Sequence, residues 1–525
     1  MTKVVKYIFS LFVIIGITEA RSFEDYLNKR KELIEAEKES FLGAEIELTA
    51  NEALFNDLLM QRKRTELESS FQSANFLPAV PFYNVKYQIE QSDVFQMIKI
   101  LPKGSVLHVH DFSITSIDWI ISNVTYRDHL WICQNELQDV PIKFGWFVQA
   151  PMRSPECAWT LLKAEREIFG ANYIDDLLLE HLTIITDTPE LDYPNINAVW
   201  SKFQNIFGSL MSLLSYEPVA RDYFYQGFKE FMRDGVQYFE FRTVLPSLCQ
   251  DMFNRKSGNC ENPTTPLETA MIMKEVADQL IQDHPNDFCF VRMIYAPSRF
   301  VPLSTIDDYF KILKQLQENL GDFVAGFDLV GQEDKGKPLI NFAPEILQHL
   351  ESHPNLKMFY HAGETDWQGQ ETDLNLFDAL LLNTSRIGHG YAIVKHPVAK
   401  EIAIEREVAL EVSPISNQVL KLVDDLRNHP ATILIQENFP IVISADDPGI
   451  WGAEGLSYDF YEAFMAMSSK DMDLRLLKKF ALNSIKYTTL NQSSKDKCFA
   501  MFNTKWNSLM DDINNYLHPT IVQIE

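Results

Sequence analysis

The sequence predicts an α/β fold: a (β/α)8 barrel with an N-terminal helical extension and an insertion after the first barrel strand. Three observations predict it. Eight short β-rich runs recur after residue 105, at 106–110, 236–241, 288–295, 323–330, 357–361, 386–387, 409–412 and 440–444. Helix-like segments separate most of them, among them 267–282, 305–319, 374–382 and 397–407, and apolar strands alternating with helices imply a parallel sheet. The gap between the first two runs, about 111–235, is far longer than an ordinary crossover and must hold an inserted unit.

Taken in order, residues 1–20 read as a secretory signal peptide. Two lysines precede an apolar run over 7–17, and small residues surround a cleavage point near Ala20. The run is too short to span a bilayer, and no later segment reaches that length, so a soluble, secreted product is expected. Residues 21–100 form an N-terminal helical segment, with helices over 22–41 and 51–70 rich in Glu, Lys, Arg and Leu. These helices either pack on the barrel or form a dimer interface. Residues 101–121 carry the first barrel strand and its loop, 122–187 the insertion, and 188–525 the rest of the barrel and the C-terminal helices over 458–467, 474–490 and 500–516.

The composition is 46% hydrophobic and 23% charged, which excludes a disordered chain. The charge balance, 47 − 73 = −26, argues against nucleic acid and anionic membranes as partners. It also mildly disfavours polyphosphate substrates. Six cysteines are sparse for this length, so disulfides are accessories. Cys133 with Cys157, and Cys249 with Cys260, bracket loops that a disulfide could staple, whereas Cys289 and Cys498 sit in apolar surroundings and read as buried thiols. Glycosylation sequons stand at Asn123, Asn383 and Asn491.

The chemistry gathers at strand ends. His108 and His110 are two apart on a strand, so both face one side. His361-Ala-Gly-Glu364 places a histidine where its strand stops and a carboxylate three residues on. His389 follows a strand between two glycines, and Asp446-Asp447-Pro448 ends an apolar strand. Each alone has a bland reading, as a satisfied polar residue, a solvated acid or a helix cap. In a parallel barrel, however, all strand C-termini meet at one mouth. Three strand-end histidine motifs with adjacent acids point to a metal-dependent hydrolase of the TIM-barrel kind. The residues by themselves leave deamination, phosphotriester hydrolysis and cyclic-amide hydrolysis open.

His108-x-His110, His361-Ala-Gly-Glu364, Gly388-His389-Gly390 and Ser444-Ala-Asp446-Asp447 resemble, in order and register, the motifs of the adenosine/AMP deaminase superfamily. Trp200-Ser-Lys-Phe203, Ala325-Gly-Phe-Asp-Leu-Val-Gly331, the stretch from His361 to Gly369, that from Ser413 to Leu422, and Gly455-Leu-Ser-Tyr-Asp-Phe-Tyr461 resemble more specifically the secreted adenosine deaminase growth factor family, of the adenosine deaminase 2 type.

The resemblance implies one zinc per subunit held by His108, His110, His361 and Asp446, with a position left for water. It implies that His389 orients or deprotonates that water. Glu364 would protonate the purine nitrogen beside C6, and Asp447 would bond the other ring and aim the attack. The Gly331 N–H would reach a ring nitrogen. Asp111, Trp200, Ser201, Lys202, Phe203, Gln204, Asn205, Ile206 and Phe207 would lie on the ribose side. Extracellular adenosine, and 2′-deoxyadenosine, would become inosine and ammonia, with a homodimer formed through the N-terminal helices. The insertion would meet a cell-surface receptor or glycosaminoglycan. An alternative is a receptor-binding growth factor that uses the deaminase fold as a scaffold; a nucleotide or pterin deaminase is a third reading.

Overall fold

The computed structural model describes residues 19, 22–134, 142–152, 157–353 and 355–512. The expected signal peptide, apart from Glu19, lies outside the described residues. Eight parallel strands form the barrel: β1 (Gly104–Val106), β5 (Val236–Thr243), β6 (Phe290–Tyr295), β7 (Val324–Phe327), β8 (His361–Ala362), β9 (Arg386–His389), β10 (Ala409–Val412) and β11 (Ile441–Ile443). Two four-stranded ladders, β1-β5-β6-β7 and β8-β9-β10-β11, make up the wall. Parallel bridges Phe327↔Met358 and Met358↔Thr384 join them on one side, and Val109↔Asp446 closes the barrel on the other. Helices cover the outside, so these strands are buried along nearly their whole length.

The predicted helices form at Pro266–Asp283, Ile306–Leu320, Asn375–Leu381, Pro397–Glu405, Ser457–Ala466, Leu474–Lys486 and Gln492–Asp511. Thr265 starts the first of these with a reciprocal capping box to Glu268, and Pro266 occupies its first turn. The last of these is described over Gln492–Asp511; the remainder of its predicted span, 513–516, lies outside the described residues. The long gap also holds two helices that pattern reading passed over, Ile196–Leu213 and Glu217–Arg233. They cover the chain between the insertion and β5.

The insertion has its own antiparallel sheet, ordered β3-β2-β4, from β2 (Leu130–Gln134), β3 (Lys143–Trp146) and β4 (Ala158–Leu161). It is anchored to helix Ile196–Leu213. The Phe144 N–H donates to Ser212 Oγ at 2.9 Å, and the Trp146 indole N–H to the Leu213 carbonyl at 2.9 Å.

The two N-terminal helices behave differently. Ala50–Ser73 buries Phe55, Leu59 and Met60, and its fully buried Lys63 donates to Ser468 Oγ and to the Ser469 and Met472 carbonyls. Phe23–Lys38 buries nothing and exposes Phe23, Tyr26, Leu27, Leu33 and Ile34.

The cysteines form three disulfides: Cys133–Cys157, Cys249–Cys260 and Cys289–Cys498. The third corrects the expectation of two buried thiols. Both residues are indeed buried and apolar in setting, but the last helix returns beside the start of β6, 209 positions away in sequence, which no local pattern discloses.

Candidate active site

The barrel mouth gathers the histidines. Ring centroids of His108 and His361 are 4.6 Å apart, those of His108 and His389 4.9 Å, and those of His108 and His110 5.4 Å. Asp446 sits among them, with Oδ1 3.2 Å from His108 Nε2 and 3.0 Å from His110 Nε2. Donor atoms of His108, His361, His389 and Asp446 all lie within 4.8 Å of one another, as do those of His110, Asp446 and Asp447.

The backbone is shaped for this crowding. Asp446 and His389 both hold left-handed φ values, 57° and 59°, an uncommon choice for non-glycine residues. The Asp446 N–H donates to the His108 carbonyl at 3.0 Å, and the His110 N–H to the Asp446 carbonyl at 3.0 Å, stapling the first and last strands together. Gly388 lets the rings pack closely: a Cβ there would stand 3.1 Å from the His108 ring and 3.2 Å from His361 Cα, so the neighbours would have to give by a few tenths of an ångström.

Three of the four histidines have a partner behind the site fixing the ring. His108 Nδ1 lies 2.9 Å from Glu411 Oε2, and His361 Nδ1 lies 2.6 Å from Asp328 Oδ2. An ionised carboxylate only accepts, so both rings carry their proton on Nδ1 and turn a bare Nε2 outward. The Arg242 guanidinium joins the two carboxylates, with Nε donating to Asp328 Oδ2 and Nη2 to Glu411 Oε2, each at 2.7 Å. Arg386 donates to the other Glu411 oxygen at 2.5 Å and to Glu240 at 2.6 Å. This network is fully buried. Burial pushes the Glu411 carboxyl up, but Arg242 and Arg386 outweigh it and hold the group well below the usual range.

A second chain sets His389. The Ala431 N–H donates to His429 Nδ1 at 3.0 Å, so His429 carries its proton on Nε2 and donates to Asn417 Oδ1 at 2.9 Å. The Asn417 amide then donates to His389 Nδ1 at 3.2 Å. His389 therefore carries its proton on Nε2, which lies 3.7 Å from Glu364 Oε1 and 3.8 Å from Asp446 Oδ2. Burial holds the imidazole well below its ordinary pKa, so it is neutral.

The acids are tuned too. Burial first, then the Asp446 and Glu333 charges, raises Glu364 well above the ordinary carboxyl range. Its backbone N–H donates to Glu333 Oε2 at 2.5 Å. Asp447 is likewise raised by burial and by Asp446, while the Ser113 hydroxyl donates to it at 2.6 Å. Burial also lifts Asp111 to about 7.

These groups floor a cavity of about 490 Å³, whose walls include Phe112, Trp200, Phe203, Phe207 and Gly331. Of the expected ribose-side segment, Trp200, Phe203, Gln204 and Phe207 line it; Ser201, Lys202, Asn205 and Ile206 do not. The segment is helical, so positions 200, 203, 204 and 207 share one face and the others turn away.

Sequence reading missed Arg242, Asp328, Glu411, Asn417 and His429. One signal was available for three of them: a charged residue inside a buried strand or at its end has to be paired. Asn417 and His429 left none, since their role depends on a loop and a short helix meeting behind His389.

Comparison with known proteins agrees with this geometry. The family model described as adenosine deaminase matches residues 186–503, and that described as adenosine/AMP deaminase N-terminal matches residues 10–98. The chain is 39% identical over 486 residues to adenosine deaminase 2 of Homo sapiens, covering 92% of this chain and 93% of that protein. It is 40% identical over 495 residues to adenosine deaminase of Lutzomyia longipalpis, covering 94% of each. Among solved structures, an amidohydrolase from Burkholderia ambifaria with bound zinc superposes with a TM-score of 0.52 at 18% identity, over 80% of this chain and 94% of that one.

Proposed function

The chain belongs to the adenosine deaminase family, in its adenosine deaminase 2 branch, and we propose that it is a secreted, zinc-dependent enzyme converting extracellular adenosine and 2′-deoxyadenosine to inosine and ammonia. The observation that carries this reading is a neutral, proton-bearing Glu364 set beside four converging histidines and Asp446.

The donor set fits a cation. His108 Nε2 and Asp446 Oδ1 are buried and lack hydrogen bonds, although only 3.2 Å apart. Ligands about 2.1 Å from a tetrahedral zinc stand roughly 3.4 Å from one another. Burial and the Arg242 charge lower His108, yet Asp446 and Glu411 raise its net affinity for a proton, which marks where positive charge is wanted. His361 is held at about 3 by burial and is neutral, as a metal ligand must be. We assign His108, His110, His361 and Asp446 as the ligands. His389 is left out because its outward nitrogen carries the proton. Bound there, zinc would supply Lewis acidity to the reaction.

The remaining roles belong to the chain's own groups. Glu364 donates a proton to the ring nitrogen beside C6, making that carbon electrophilic. His389 directs its Nε2–H at the attacking oxygen and orients it. Asp447, held by Ser113, bonds the far ring of the purine, and Gly331 offers its N–H with no side chain in the way.

Three disulfides suit an oxidising, extracellular setting, and among the described residues no helix is long and apolar enough to cross a membrane. All three sequon asparagines are exposed; Asn383 is the best placed for a glycan, because the Asn491 side chain caps a helix and that of Asn123 donates to a helix carbonyl. The bare apolar side of helix Phe23–Lys38 supports dimerisation through residues 21–100.

A second reading, receptor binding through the insertion at 122–187, is favoured by exposed Val148, Met152, Ile168, Phe169 and Tyr173. The test is ultraviolet conversion of adenosine by purified protein. Chelation should abolish it and zinc restore it, and Glu364→Gln should cut kcat by ~10²–10⁴ while leaving zinc bound. A folded, zinc-loaded sample that leaves adenosine unchanged would overturn the proposal.

A further inference from the structure

A second cavity, of about 650 Å³, opens at the other end of the barrel. Its walls are the chain leading into β8, β9 and β10, at Lys357, Thr384 and Val408, and the chain around the start of helix Gln492–Asp511. The strands run parallel, so this face is opposite the one where His361, His389 and Asp446 converge. Four cations line it, Lys357, Arg406, Lys486 and Lys495, against one acid, Glu407. On a chain of net charge −26 this is a local reversal of sign.

The cations are aimed but not neutralised. Lys495 Nζ donates to the Lys486 carbonyl at 2.6 Å, Arg406 Nη1 to the Leu380 carbonyl at 2.8 Å, and Lys486 Nζ to the Tyr487 hydroxyl at 3.2 Å. These acceptors carry no charge. Glu407 Oε1 stands 3.7 Å from Lys486 Nζ, but both side chains are more than half exposed, where an ion pair is worth little. Among the described residues, the Lys357 ammonium has neither an acid nor a hydrogen-bond acceptor as partner. Burial first lowers the Lys495 ammonium below its ordinary pKa; Glu240 opposes this, and the Arg386, Lys486 and Lys357 charges add to it. Like charges so placed repel until an anion sits among them.

We propose that this cavity binds a small anion carrying two or more phosphate groups, at a site separate from the catalytic mouth. Its volume is that of a small-molecule site. A long polyanion is disfavoured, because beyond about 8 Å, the physiological screening length, it meets an acidic surface. A short anion inside the concavity meets the cations instead. Phosphate groups suit them best: each offers several acceptor oxygens, to the lysines as point charges and to Arg406 as a planar fork. Tyr487 and Phe499 complete the wall and give an organic body bearing the phosphates an aromatic surface. The site makes no use of the zinc or of the adenosine reading, so either can fail without the other.

The experiment titrates pyrophosphate into the zinc-loaded full chain by calorimetry, with zinc content checked afterwards and thermal unfolding followed in parallel. One site per chain is expected, with a raised thermal midpoint and an affinity that falls as salt rises. Sulfate, with a single group, should bind at least ~10-fold more weakly. Lys357→Glu combined with Lys495→Gln should weaken pyrophosphate ~100-fold or more. That variant should fold, with unchanged far-ultraviolet circular dichroism and a ligand-free thermal midpoint no lower, since it removes repelling charges. Asn383 also lines the cavity, so Ser385→Ala, which erases its sequon and keeps the asparagine, should bind no more weakly. Absence of binding by both calorimetry and thermal shift would overturn the inference. So would equal affinity for sulfate, which marks diffuse counterion uptake. Binding untouched by the double substitution would place the anion elsewhere, and binding lost in Ser385→Ala would assign it to a glycan; each would also overturn it.

Discussion

His361 presents Nδ1 to Asp328 Oδ2 at 2.6 Å, and the other oxygen of the same carboxylate accepts the His361 backbone N–H at 3.0 Å. One aspartate thus fixes both the ring and the main chain of a proposed metal ligand. Asp328→Asn keeps the shape but loses the charge that holds the proton on Nδ1. Zinc affinity should fall by ~10–100-fold, read by chelator competition. Unchanged affinity would remove Asp328 from this role.

Arg242 neutralises Asp328 and Glu411 together inside the barrel. Arg242→Met leaves buried Asp328 without its cation and Glu411 with Arg386 alone, so stability should drop by about 3–5 kcal/mol in denaturant unfolding. Arg242→Lys should recover part of this, because an ammonium keeps the charge but cannot fork to both carboxylates in the same way.

Asn417 stands between His429 and His389 and decides which nitrogen of His389 carries the proton. Asn417→Leu removes that instruction while filling the space. Turnover should fall by ~10²-fold or more with KM within a few-fold, because the loss concerns the reacting step and not substrate binding. A change in KM alone would place Asn417 in the substrate pocket instead.

Glu230 on helix Glu217–Arg233 accepts from the Ser116 N–H at 2.7 Å, and burial raises its carboxyl to about 7 from an ordinary 4.5. Between those values the folded chain keeps a proton that the unfolded chain has lost. This group's contribution to stability therefore declines as pH rises from 4.5 through 7 and then levels off. Glu230→Gln should flatten that part of the pH–stability curve, measured by thermal unfolding across the window.

Much of the molecule was legible because its chemistry repeats at strand ends. Eight apolar runs separated by helical stretches required a parallel barrel, and a parallel barrel brings His108, His361, His389 and Asp446 to one rim however far apart they lie in the chain. The segment expected on the ribose side was legible only as a stretch. Helical periodicity, once seen, divides it into Trp200, Phe203, Gln204 and Phe207 facing the cavity and four residues facing away.

By itself, then, the sequence pointed to the barrel, the order of its strands and the histidines and carboxylates at their ends, since these follow from local periodicity and residue chemistry, while the role expected of each came from the family resemblance. Tertiary structure alone decided which groups govern them. The Asp328–Arg242–Glu411 bridge, the His429–Asn417–His389 relay and the Cys289–Cys498 bond each join elements far apart in sequence. Their partners are chosen by distance and burial in the folded chain, where an unpaired charge or amide is costly, and no spacing along the chain encodes that choice.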